Sequence, residues 1–156
     1  MDKFMKRAVE LSTNNVKDGG QPFGAVLVKD GAIVAEGVNE IHIKHDVSAH
    51  AELVAIRKAQ EKLQTDDLSG YVMYASGEPC PMCFTAMYYV GIKKAYYCAS
   101  VKETADNGLN ASAVLYEDFK HATENRKTVE MIHMPLEEGL EDPMKMWLEK
   151  DEVKKG

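Results

Sequence analysis

Tyr71–Ser100 reads YVMYASGEPCPMCFTAMYYVGIKKAYYCAS. Its first six residues, YVMYAS, are β-prone and mostly apolar, which suits a central strand. GEPCPMC follows as a tight turn, with prolines at 79 and 81. Met82–Val90 is apolar and long enough for a helix, and KKAYYCAS is the next strand. Strand, helix, strand in this rhythm predicts a βαβ unit with a parallel pair.

Upstream, Ala25–Val28 and Ala32–Ala35 are short apolar runs joined by Lys29-Asp30-Gly31. Asp-Gly between such runs predicts a hairpin, because glycine tolerates positive φ. Phe4, Ala8, Val9 and Leu11 are spaced for a surface helix over Lys3–Asn15, ended by Gly19 and Gly20. Glu40–Val47 is polar, holds His42 and His45, and reads as a loop. Ser48 is placed to cap a helix carried by Ala51, Val54, Ala55, Ala59 and Leu63 to about Lys62. Downstream, ADNGLNASAVLYEDF (105–119) leads from a loop into a short helix. Thr128–Met134 is expected as a last strand and Pro143–Lys150 as a C-terminal helix. The expected fold is a three-layer α/β/α sandwich around a five-stranded mixed sheet, one domain over residues 1–156.

With 156 residues, 45% hydrophobic and 28% charged, the chain suits one globular domain with its own core. Twenty-five acids against 19 bases argue against a broad nucleic-acid surface. The apolar runs fall far short of the roughly 18 residues of a membrane span. MDKFMKRAVEL mixes charges and has no long apolar stretch, so it reads as the start of the fold and not as a signal peptide. Three cysteines, Cys80, Cys83 and Cys98, make a poor disulfide framework, so a reducing, cytoplasmic setting is expected.

Cys80 and Cys83 form C-x-x-C, which alone admits a redox dithiol, a structural zinc site or a catalytic one. The flanking prolines and the upstream His-x-Glu do not suit a redox pair, and a structural site needs four ligands. His50, Cys80 and Cys83 supply three, leaving one position for water, in the H-x-E…P-C-x-x-C order of zinc deaminases. Both segments sit at expected helix starts, where the dipole helps keep thiolates ionised. Glu52, two residues from His50, is then the proton shuttle over the open position. Cys98 is expected as a small buried hydrophobe within a strand. Met5, Met73, Met82, Met87 and the tyrosines Tyr88, Tyr89, Tyr96 and Tyr97 are expected mostly in the core.

HAE at 50–52, EPCPMCFTAMYYVGIKKAYYCA at 78–99 and PFGAVLVKDGAIVAEGVN at 22–39 resemble the cytidine and nucleotide deaminase superfamily, and within it the bacterial guanine deaminases. The likeness is specific over roughly residues 4–120 and looser beyond. It implies hydrolytic deamination of a planar amino-heterocycle with release of ammonia. His50, Cys80 and Cys83 would hold one zinc ion per chain, with Glu52 catalytic. By the same resemblance, Phe23 stacks on the base, Asn39 hydrogen-bonds to it, and backbone near Ala51 and Glu78–Pro79 lines the metal pocket. The resemblance also implies a homodimer that exchanges C-terminal segments, with Trp147 part of a lid.

One stretch departs. Where these guanine deaminases carry GFDD, this chain has GLNAS, Gly108–Ser112, so Asn110 and Ala111 replace two acids. Alanine cannot accept from ring N–H and amino groups, a loss of roughly 2–5 kcal/mol of recognition. Beside a guanine-like purine base or nucleoside, another aminopurine or a cytosine-type pyrimidine therefore stands as substrate. tRNA adenosine deamination is disfavoured by the excess of acids. A zinc-stabilised binding protein without catalysis is the non-enzyme alternative.

Overall fold

Asp30 and Gly31 take φ of 50° and 77°. Two consecutive left-handed residues make the tight turn whose twist matches paired strands. It joins β1 (Gly24–Lys29) to β2 (Ala32–Val38) as an antiparallel hairpin with a bulge at Leu27–Val28. The structure is a computed structural model that describes residues 1–155, with side chains through Lys150. Its chain divides into two units, Met1–Lys120 and His121–Gly156.

In the first unit β1 also pairs antiparallel with β3 (Val72–Gly77), and β3 pairs parallel with β4 (Lys94–Ala99). The order is β2-β1-β3-β4. The parallel β3–β4 pair is closed by α4 (Pro81–Val90), as the βαβ rhythm predicts. The sheet has four strands, not five. Thr128–Met134 forms no strand: Ile132 and Met134 are 74% and 85% exposed, and the segment finds no ladder partner among the described residues. Its apolar content alone could not make a strand, because a strand is stabilised by the neighbour it pairs with.

Alternation along β1 builds the three layers. Val26 and Val28 pack with Met5 and Ala8 of α1 (Lys3–Lys17). Ala25 and Leu27 face the other way, onto Ala51, Ala55, Ile56 and Ala59 of α3 (Ala51–Leu63) and Met87 of α4. Leu27, Leu68 and Met73 are completely buried. An all-apolar central strand is what burial on both faces requires.

Three local expectations change. Ser48 does not cap α3: its hydroxyl and N–H both bond to Asp46 Oδ1, and His50 occupies the N-cap. Within the expected loop 40–47, Ile41–Lys44 forms a short helix, α2. Cys98, Tyr96 and Tyr97 are exposed because β4 is an edge strand of the sheet, and Tyr88 and Tyr89 are exposed on the outer face of α4. Met5, Met73 and Met87 are buried as expected, and Met82 is partly exposed.

After β4 come α5 (Val101–Asp106), held by a Ser100–Glu103 capping box, and α6 (Ala111–Asp118). The second unit contains a short 3-10 turn at Thr123–Asn125 and α7 (Pro143–Lys155), which carries an exposed Trp147. No helix is long and apolar enough to cross a membrane among the described residues.

Candidate active site

His50 is the residue before α3, in an extended conformation, and its side chain makes no capping bond. The imidazole is therefore free to face another partner. Cys80 stands at the same position of α4, where Pro81 occupies the first helical turn without sacrificing a needed donor. The Cys80 thiol accepts from the Cys83 N–H at 3.5 Å. The C-x-x-C spacing places Cys83 one turn into the helix and its sulfur beside that of Cys80. Gly91, with φ of 88°, ends α4 in a left-handed cap.

The two helix starts bring three ligand atoms together. His50 Nδ1 lies 3.4 Å from Cys80 Sγ and 3.5 Å from Cys83 Sγ, and all three atoms lie within 4.8 Å of one another. A tetrahedral zinc with usual Zn–N and Zn–S bonds separates N from S by about 3.6 Å. The observed spacing matches that edge. Both cysteines are free thiols, and a soft-sulfur and imidazole set suits zinc. Among the described residues this is the group of three that could hold a metal ion, and a tetrahedral zinc held by it would keep a fourth position for water.

Electrostatics agree with the packing. The Cys80 thiol is drawn down to about 4, first by its hydrogen bond with Cys83 and then, against the cost of burial, by His50. Cys83 is pushed up by the Cys80 thiolate and by burial. The bond to Cys80 raises His50. Glu52, 6% exposed, is raised to about 7, chiefly by burial. A carboxyl near neutrality can both take and return a proton.

His50, Cys80 and Glu52 open into a cavity of about 290 Å³, near the small end of ligand sites. Phe23 and Asn39 line it too. Gly77 leaves room for the aromatic: a Cβ there would fall 2.8 Å from the Phe23 ring. Asn39 is fully buried and its Oδ1 accepts from the Ile41 N–H at 3.1 Å. Asn110, Ala111 and Ser112, the departing stretch, form part of the wall. Ala51 is buried as the first residue of α3 and is not among the lining residues. Trp147 belongs to the second unit.

Several contributors carry no sequence signal of their own. Gln21, Ile41, Thr104 and Leu109 also line the cavity. The Tyr116 hydroxyl of α6 donates to the Pro79 carbonyl in the cysteine turn, and burial pushes its pKa up to about 12. Glu78 Oε1 accepts from the Val101 N–H at 3.1 Å, joining the same turn to α5.

The family model for the cytidine and deoxycytidylate deaminase zinc-binding region matches residues 1–99. The guanine deaminase of Bacillus subtilis (strain 168) is 42% identical over 147 residues, covering 94% of this chain and 92% of its own. A tRNA-specific adenosine deaminase of Agrobacterium fabrum is 39% identical over 95 residues, 58% of this chain and 62% of its own. The X-ray structure of the Bacillus subtilis guanine deaminase superposes with a TM-score of 0.86 at 40% identity, over 96% of this chain and 95% of that one.

Proposed function

Because the chain belongs to the cytidine and deoxycytidylate deaminase zinc-binding family, we propose that it hydrolytically deaminates a guanine-like purine and releases ammonia. The observation that carries this reading is the His50–Cys80–Cys83 triangle, with buried Glu52 in the same cavity. A zinc ion held by those three residues would acidify water at its fourth position and so supply a nucleophile at neutral pH. The Glu52 carboxylate takes a proton from the attacking water and passes it to the ring nitrogen, then takes the proton of the newly added hydroxyl and passes it to the departing amine, leaving a carbonyl. Water is consumed and ammonia leaves. Phe23 supplies a face for the planar ring. One Asn39 side-chain N–H donates to Gln21 Oε1 at 3.3 Å, so the second is left for the base.

The likeness to guanine deaminase runs through 94% of this chain, whereas that to the tRNA-specific adenosine deaminase covers 58%. That difference, with the excess of acids, favours a small base over tRNA. We read residues 1–156 as one deaminase chain, with one zinc per chain and a reducing, cytoplasmic setting that keeps Cys80 and Cys83 as thiols. We also read it as a homodimer, with Trp147 in a lid formed by an exchanged C-terminal segment. The exposed apolar residues Phe84, Tyr88 and Tyr89 of α4 and Tyr97 of β4 support an association surface.

A second reading keeps the chemistry and changes the base. The wall at Asn110–Ser112 carries amide, methyl and hydroxyl groups without a carboxylate. This favours a heterocycle recognised by neutral donors and acceptors, an aminopurine other than guanine or a cytosine-type pyrimidine.

An ammonia-release screen over guanine, guanosine, adenine, cytosine, cytidine and related amino-heterocycles tests both. Turnover of guanine supports the first reading, and turnover of another base supports the second. Zinc-loaded protein that releases ammonia from none of them contradicts deamination.

A further inference from the structure

Asn15 lies on the last turn of α1, 5% exposed, and does not line the cavity. Its Nδ2 donates to the Gln21 carbonyl at 2.8 Å and to the Asn39 carbonyl at 3.0 Å. A primary amide has two N–H bonds, and both are used. The two carbonyls belong to separate strips of the cavity wall: the loop entering β1 and the end of β2.

The strips are also linked to one another. Phe23 N–H donates to the Gln21 carbonyl at 2.8 Å, and Asn39 N–H to the Phe23 carbonyl at 3.2 Å. The Asn15 carbonyl accepts from Gly20 N–H at 2.8 Å. Gly20 is needed for this fit, since a Cβ there would fall 2.5 Å from Asn15 Nδ2. The metal ligands and Glu52 are held elsewhere, at the starts of α3 and α4.

We propose that Asn15 is a positioning residue for substrate recognition. Its buried amide ties the Gln21–Phe23 loop to the end of β2, and so sets the spacing between the Phe23 ring and the Asn39 side chain. The inference rests on the deaminase reading of the cavity. Losing the tie releases the base-binding wall and leaves the reacting groups in place. The defect therefore falls on binding, not on the chemical step.

Steady-state kinetics of ammonia release from guanine, with zinc content and Tm measured alongside, test the proposal. Asn15→Asp keeps the shape and removes both donors. Asn15→Ser keeps a single, shorter donor, and it carries the same test if the aspartate variant does not fold. The expected result is a KM raised about tenfold or more, kcat within about threefold of wild type, and undiminished zinc. An unchanged KM with a lowered Tm or active fraction would make Asn15 merely structural and overturns the proposal. Lost zinc with a collapsed kcat overturns it as well. Wild-type protein that releases no ammonia from guanine defeats the guanine reading, and this inference falls with it. Wild-type turnover with an unchanged variant KM defeats this inference alone.

Discussion

Glu52 holds an ionisable carboxyl at 6% exposure beside a thiol and an imidazole that ionise in turn. Burying an acid this deeply disfavours its charge, so a purely structural site would favour an amide there. Glu52→Gln keeps the shape and removes the proton acceptor. We expect folded protein that retains zinc and loses ammonia release by about a hundredfold or more. Kinetics and metal analysis on one preparation check this, and undiminished turnover would remove Glu52 from the chemistry. His50, Glu52, Cys80 and Cys83 were legible in the sequence because their side chains are chemically scarce and their local spacing is fixed by the chain. Asn15 and Tyr116 were not. They act on backbone carbonyls that only the tertiary fold brings within reach, and neither residue type is distinctive in a sequence.

At the scale of elements, the Asp30–Gly31 hairpin and the Tyr71–Ser100 βαβ unit follow from local turn chemistry and apolar runs. Contacts between elements are less visible. Arg7 of α1 reaches across to Glu36 of β2, with its Nη2 3.1 Å from Glu36 Oε1. The Arg7 hydrogen bond lowers the Glu36 pKa against the opposing effect of burial. A carboxyl lowered in the fold contributes stability above its unfolded pKa and loses it as pH falls through the folded one. The pair is about one-third exposed, so Arg7→Ala should cost only about 0.5–1 kcal/mol near neutrality. Denaturant titrations should show that difference shrinking below the ordinary glutamate value of 4.5. A difference that grows on acidification contradicts the pairing. The misread elements share one cause. The apolar character of Tyr96, Tyr97 and Cys98 does not reveal that β4 is an edge strand, nor does that of Thr128–Met134 reveal that it finds no ladder partner among the described residues.

For the whole molecule, sequence order predicts the layers but not where separate strips of wall meet. Gln21 and Phe23, Asn39 and Ile41, His50 and Glu52, the turn at Gly77–Cys80, Thr104 and Gly108–Ser112 contribute to one cavity although no local pattern links them. The metal triad with Glu52, marked by chemical rarity, and the family resemblance at Phe23, Asn39 and Glu78 signalled part of that convergence in advance. The departing stretch Gly108–Ser112 proves to border the cavity, so a change visible in the sequence acquires a location from which it can alter substrate choice. The central claim is that His50, Cys80 and Cys83 hold zinc in every chain. Native mass spectrometry of protein purified without added metal tests this directly, because it reads assembly and metal together. The account predicts two chains carrying two zinc ions. A single chain with one zinc would remove the dimer and leave the metal site intact. Folded chains free of zinc, with Cys80 and Cys83 joined as a disulfide, would contradict the account at its base.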